Sequence, residues 1–220
     1  MAIARVGTVQ EVQFTNRNSS ASITVPSDAI IACIFVAGVS VTGTISLGGS
    51  AATRRTYVDI SELWSLTSPS TGTQTLAWNF TGEGVESSIL VSFYAGVDTA
   101  APVRDADSAF NGDAGVTATT PSMTSVAGDM AVAGGTGWYG GATALVLNNN
   151  GQTAVYSSLR DYDGSNDGAQ GLAEKLATTT TITMEAYGDY PAILAMVLKA
   201  AAAGGSIVPL LLHQYRARRQ

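Results

Sequence analysis

The residues with the most chemistry to offer lie in the stretch DYDGSNDGAQGLAEKLA. From Asp163 it reads D-x-S-x-D-G-x5-E. Asp163, Ser165 and Asp167 supply side-chain oxygens at alternate positions, Gly168 a tight turn and Glu174 a bidentate carboxylate, the ligand pattern of a calcium loop. The match is partial. Gln170 stands where an apolar residue is usual, and no segment able to form a helix precedes the loop. Asp and Gly also gather in connections between strands, because they tolerate turn dihedrals. We therefore read a solvated loop and expect no metal or other cofactor. A second pattern is GGTGWYGG, where Trp138 and Tyr139 stand among glycines. Adjacent rings on a permissive backbone suit a sugar-stacking platform or an interface anchor, and equally a ring that caps the end of a sandwich.

Catalytic groupings are scarce. The single histidine is His213, near the C-terminal end, so a Ser-His-Asp or Cys-His arrangement would need that segment folded back onto the body. The single cysteine, Cys33, lies in the apolar run IIACIFV and reads as a small buried side chain, not a reactive thiolate. We expect no enzyme.

The segment GGSIVPLLLHQYRARRQ (204–220) differs from the rest. It carries +3 of formal charge against −9 for residues 1–203. Ile207, Val208, Leu210, Leu211 and Leu212 can fill an apolar groove, giving about 1.5–3 kcal/mol for each side chain fully buried. Arg216, Arg218 and Arg219 can pair with carboxylates on an acidic neighbour, and Tyr215 joins them in the partner-binding set. The segment reads as a docking tail for another protein, with docking on its own body as the alternative. The acidic body argues against a nucleic-acid binder, because phosphate contacts need a basic face. No apolar run approaches the roughly 20 residues that span a bilayer, so no membrane partner is expected. The start, MAIARVGTVQ, shows no apolar core of a leader, so the expectation is synthesis in the cytoplasm without a signal peptide.

The elements that must position these residues read as strands. ASITV (21–25), AIIACIFVAGV (29–39), TGTISLG (42–48), RTYVDISELWSL (55–66), GTQTLAWNF (72–80) and ESSILVSFYAGV (86–97) succeed one another. A looser stretch rich in Asp and Gly follows. Then come GVTATTPSMTSV (115–126), DMAVAGG (129–135), TAVYSSL (153–159), TTTTITMEAY (178–187) and PAILAMVLKA (191–200). Short β-rich runs separated by Gly, Pro, Asn and Asp indicate an all-β sandwich or barrel. Period two puts Leu76, Trp78 and Phe80 on one face, and likewise Ile89, Val91, Phe93, Ala95 and Val97. AIIACIFVAGV and PAILAMVLKA are apolar on both faces and predict central strands covered twice. Only GLAEKLA (171–177), with about two turns, and SELWSL (61–66), with one, have helix-forming composition.

The order TVP, apolar strand, TISLGG, LWSLTSPSTGTQTLAW, VSFYAGVD, GDMAV and closing AILAMVLKA resembles a jelly-roll-like β-sandwich module of tailed-bacteriophage virion structural proteins, also found in bacterial extracellular proteins. The likeness covers roughly residues 20–200. It rests on packing and turn motifs, among them Pro69 to Gly72 and the strand end at Gly96 to Asp98. It implies a single antiparallel sandwich over 20–203, an N-terminal edge strand or tether over 1–19 and the tail over 204–220. The implied role is a non-enzymatic virion component, capsid decoration, head spike, tail or connector, whose partners are other virion proteins and copies of itself. The alternative is a carbohydrate-binding or host-adhesion module.

Overall fold

The computed structural model describes residues 2–39, 43–58, 60–81, 84–138, 145–160 and 168–202. All regular structure among them is antiparallel β, as expected, but it forms more sheets than one sandwich needs.

The N-terminal half runs through β1 (Ala4–Phe14), β2 (Asn18–Val25), β3 (Ile31–Val39), β4 (Gly43–Leu47), β5 (Ser50–Ala51), β6 (Thr53–Val58), β7 (Ser61–Thr67), β8 (Gly72–Phe80) and β9 (Gly84–Ala95). Its inner sheet has the order β1-β9-β3-β7-β6 and its outer sheet β2-β8-β4-β5. The C-terminal half runs through β10 (Val103–Phe110), β11 (Val116–Thr119), β12 (Met123–Thr124), β13 (Met130–Trp138), β14 (Thr153–Arg160), β15 (Gly168–Leu176), β16 (Thr181–Ile182), β17 (Glu185–Gly188) and β18 (Ala192–Leu198). Its inner sheet has the order β10-β18-β13-β15-β14. Its outer layer consists of the pairs β11-β17 and β12-β16, with Val146 bridging to Tyr187.

These are two copies of one topology. In each half the first strand pairs with the last, and the other inner strands take the same places. Local details repeat as well. Bulges interrupt the first-to-last pairing (Val6/Gln10 and Val103/Asp105) and the inner-sheet hairpin (Arg54/Thr56 and Ala154/Tyr156). Two successive left-handed residues make the same turn, Gly48-Gly49 in one half and Asn150-Gly151 in the other. The turn before the long central strand is closed alike, by the Ala29 amide to the Pro26 carbonyl and by the Asp129 amide to the Val126 carbonyl.

The two inner sheets stack face to face. β6 packs on β10, β7 on β18 and β3 on β13, while β1 and β9 bond through side chains to β14 and β15. Each contact has its converse, so a pseudo-twofold axis runs along the strands between β3 and β13. Four layers result, with three apolar interiors between them. β3 alternates between two of these, with Ala32, Ile34 and Val36 facing the outer sheet and Ile31, Cys33, Phe35 and Ala37 facing the other half. β18 does the same with Leu194, Met196 and Leu198 against Ile193, Ala195 and Val197. Both runs are thus covered twice, as their composition predicts.

Other expectations are corrected. GLAEKLA lies on strand β15 up to Leu176, and SELWSL, despite its helix-forming composition, is strand β7 as its place in the run 55–66 implies. Burial on both faces outweighs a helix propensity of a few tenths of a kcal/mol per residue. RTYVDISELWSL is a hairpin, and the Asp-rich stretch after Val103 is β10. GVTATTPSMTSV is split, because Pro121 has no amide to donate to a ladder. The buried Thr120 hydroxyl instead accepts the Met184 amide at 3.0 Å. Val97 leaves the face of Phe93 and joins the interface between halves, because Gly96 adopts φ +75° and breaks the period.

Candidate functional site

The strands give the molecule two poles. β3 ends at Val39, β9 begins at Gly84, β10 ends at Phe110, β13 ends at Trp138 and β14 ends at Arg160, all at one pole. At the opposite pole the chain enters at Ala2–Ile3 and leaves at Ala201–Ala202. Gly96 lies between these two segments. Its left-handed backbone lets it sit against the Ala2 carbonyl, where a Cβ would clash. Its own carbonyl accepts the Ala201 amide at 2.9 Å.

The exit is tied further. Val97 bridges to Ala200, and the Asp98 amide donates to the Lys199 carbonyl at 2.9 Å. Asp98 and Lys199 pair at 2.6 Å. The Lys199 and main-chain amide bonds at Ala100 and Ala101 hold the Asp98 carboxyl below its ordinary range. Asp129 is buried and accepts the Ala200 amide at 2.9 Å, the Val126 amide at 2.9 Å and the Arg104 guanidinium at 2.5 Å. Removing its carboxylate would leave three buried or half-buried donors without an acceptor. The last described residues are therefore fixed in direction at the root of the tail.

Ile207, Val208, Leu210, Leu211, Leu212, Tyr215, Arg216, Arg218 and Arg219 lie outside the described residues, as do Tyr139, Asp163, Ser165 and Asp167. Trp138 is the last residue of β13, opposite Gly168. Glu174 sits on a strand and is already engaged, its Oε1 accepting the Arg5 guanidinium and the Tyr94 hydroxyl, both at 2.9 Å. Cys33 is buried between the halves, and burial pushes its thiol far up, away from the reactive thiolate. Among the described residues no cluster of three His, Cys, Asp or Glu side chains could hold a metal.

The sequence did not reveal the polar seam along β1. Glu11 accepts the Tyr156 hydroxyl at 2.5 Å and the Gln170 amide at 2.7 Å, and buried Gln170 in turn accepts from Ser88. These partners are more than 80 residues apart in the chain, and no local pattern marks them. Asp129 was within reach, since GDMAV places a lone acid at the mouth of an apolar strand.

Compared with known protein families, curated proteins and solved structures, the chain gives no match.

Proposed function

We propose that this chain is a non-enzymatic structural subunit of a tailed-phage virion, a capsid decoration or head-spike protein or a tail or connector component, held in the particle by its terminal segments. The supporting observation is the meeting of Ala2 and Ala201 around Gly96. Attachment is thereby concentrated at one pole and the opposite pole is left to neighbours or solvent. A low share of charged side chains over the body fits a protein packed among others. The tail from Ile207 to Arg219 then docks on an acidic, grooved partner in the particle, through leucines in an apolar groove and arginines on carboxylates. Deletion of residues 205–220 should leave the fold and its melting temperature intact and abolish incorporation in a particle-assembly assay. Full occupancy of particles by the truncated chain would overturn the reading.

The alternative, a carbohydrate-binding or host-adhesion module, draws on the pole away from Gly96, where Tyr57, Phe110 and Tyr190 are exposed. Exposed rings are what sugar stacking requires. A glycan array probed with the full chain separates the two readings.

A further inference from the structure

The inner sheets have four edge strands, and three are guarded. β1 carries Arg5 and Glu11, and the Gln10 amide spans to the main chain of Thr24, donating at 2.6 Å and accepting at 2.8 Å. β6 carries Arg54 and Arg55, and the Ser108 hydroxyl donates to the Tyr57 carbonyl at 3.2 Å. β10 carries Arg104, Asp105 and Asp107, and Asp105 accepts the Thr124 amide at 2.7 Å. Charges inside an edge strand discourage a further strand from pairing there.

β14 differs. TAVYSSLR holds no charge before its last residue, Arg160. It ends its sheet, with β15 on one side and no strand on the other among the described residues. Thr153, Ala154 and Ser157 are exposed. Its topological equivalent, β6, has the same bulge but two arginines at and beside it.

We propose that β14 pairs with β14 of a second copy, antiparallel, to make one continuous ten-stranded sheet. The strand suits itself as a partner. A twofold axis at Ser158 sets Ser158 opposite its own copy and Ser157 opposite Leu159, and places Arg160 opposite Tyr156. No like charges then face each other. The side chains at the axis are small, so main chains approach without obstruction. The bulge lies outside this stretch, and Tyr156 to Arg160 stay in regular register with β15. A guest strand of another protein would gain the same main-chain bonds, but self-pairing needs nothing beyond this chain and brings together two edges that carry no charge from Thr153 to Leu159. The inference is independent of the tail's role.

The test is light scattering on the full chain from roughly 1 to 100 μM, where mass action populates a dimer. The chain should dimerise, with β14 amides gaining protection from hydrogen exchange as concentration rises. Ser157→Lys brings two like charges close to the axis and should raise the dimer dissociation constant at least about tenfold while the melting temperature of the monomer stays the same. A monomer throughout the range overturns the proposal. So does a dimer that Ser157→Lys leaves intact, or one whose protection arises away from β14. Should Ser157→Lys fail to fold, the exchange measurement on the unaltered chain decides alone.

Discussion

The two halves share a topology but fill it differently. Between the N-terminal sheets Phe14, Trp64, Trp78, Phe80 and Phe93 span the gap, with Phe14 and Trp78 rings 4.9 Å apart. Between the C-terminal layers no aromatic is buried in the described core, and seven of the thirteen residues there are alanine. Methionine supplies its bulk, as Met123 and Met184. Small side chains line this interior, and the outer layer is broken into short pairs at Pro121. A fold repeated in one chain thus tolerates two packing solutions, provided the shared face stays apolar. That face is held to closer tolerances: Phe35 occupies the hollow left by Gly134, where any Cβ would strike its ring.

The sharpest way to break this comparison is to empty one core at a time. Trp78→Ala should cost about 3–5 kcal/mol and Met184→Ala about 2–3 kcal/mol, because the smaller core leaves less cavity. Urea titration measures both, and equal losses would mean that the halves are energetically alike. Next in size, Gly134→Ala should cost about 1–3 kcal/mol by overpacking against Phe35. It should loosen the interface first, so exchange at β13 and β3 should rise before that at β2 and β8. The smallest effect concerns pH. Glu62 is buried in β7, and burial raises its carboxyl above the ordinary range against the opposing bonds from Arg54 and the Trp64 indole. The folded protein therefore binds that proton more tightly than the unfolded chain does. The resulting stabilisation is full below the ordinary glutamate pKa and is lost as pH rises through the raised folded value. Melting temperatures across that range should flatten in Glu62→Gln, an effect confined to the N-terminal half.

Strand existence was legible wherever burial is two-sided or strictly alternating. β3 and β18 announced themselves by apolar runs, and β8 by Leu76, Trp78 and Phe80. β15 did not, because Leu172, Glu174 and Lys175 favour a helix until tertiary packing decides. β10 was hidden by Asp105 and Asp107, whose carboxylates turn to main-chain amides nearby. The repeat itself escaped notice because equivalent positions hold different residues, as Arg55 and Val155 do at the shared bulge. Of the candidate site, the tail's composition stood out. Asp129 was marked by GDMAV, but the clamp around Gly96 was not, since Ala2 and Ala201 reach it only once the first and last strands come together.

That pairing of first with last has a consequence for how the chain is made. β1 must wait for β9, and β10 for β18, so neither half can close its inner sheet until nearly all of it has left the ribosome. Such nonlocal closure folds slowly. When the first half does close, the face bearing Phe35, Leu63, Leu90 and Tyr94 is complete but uncovered, because its cover has yet to be translated. For that interval a nascent chain presents a flat apolar surface matched in shape to another copy of the same topology. On a polysome, where neighbouring copies stand close, exchange of C-terminal halves between chains is the characteristic error this architecture invites.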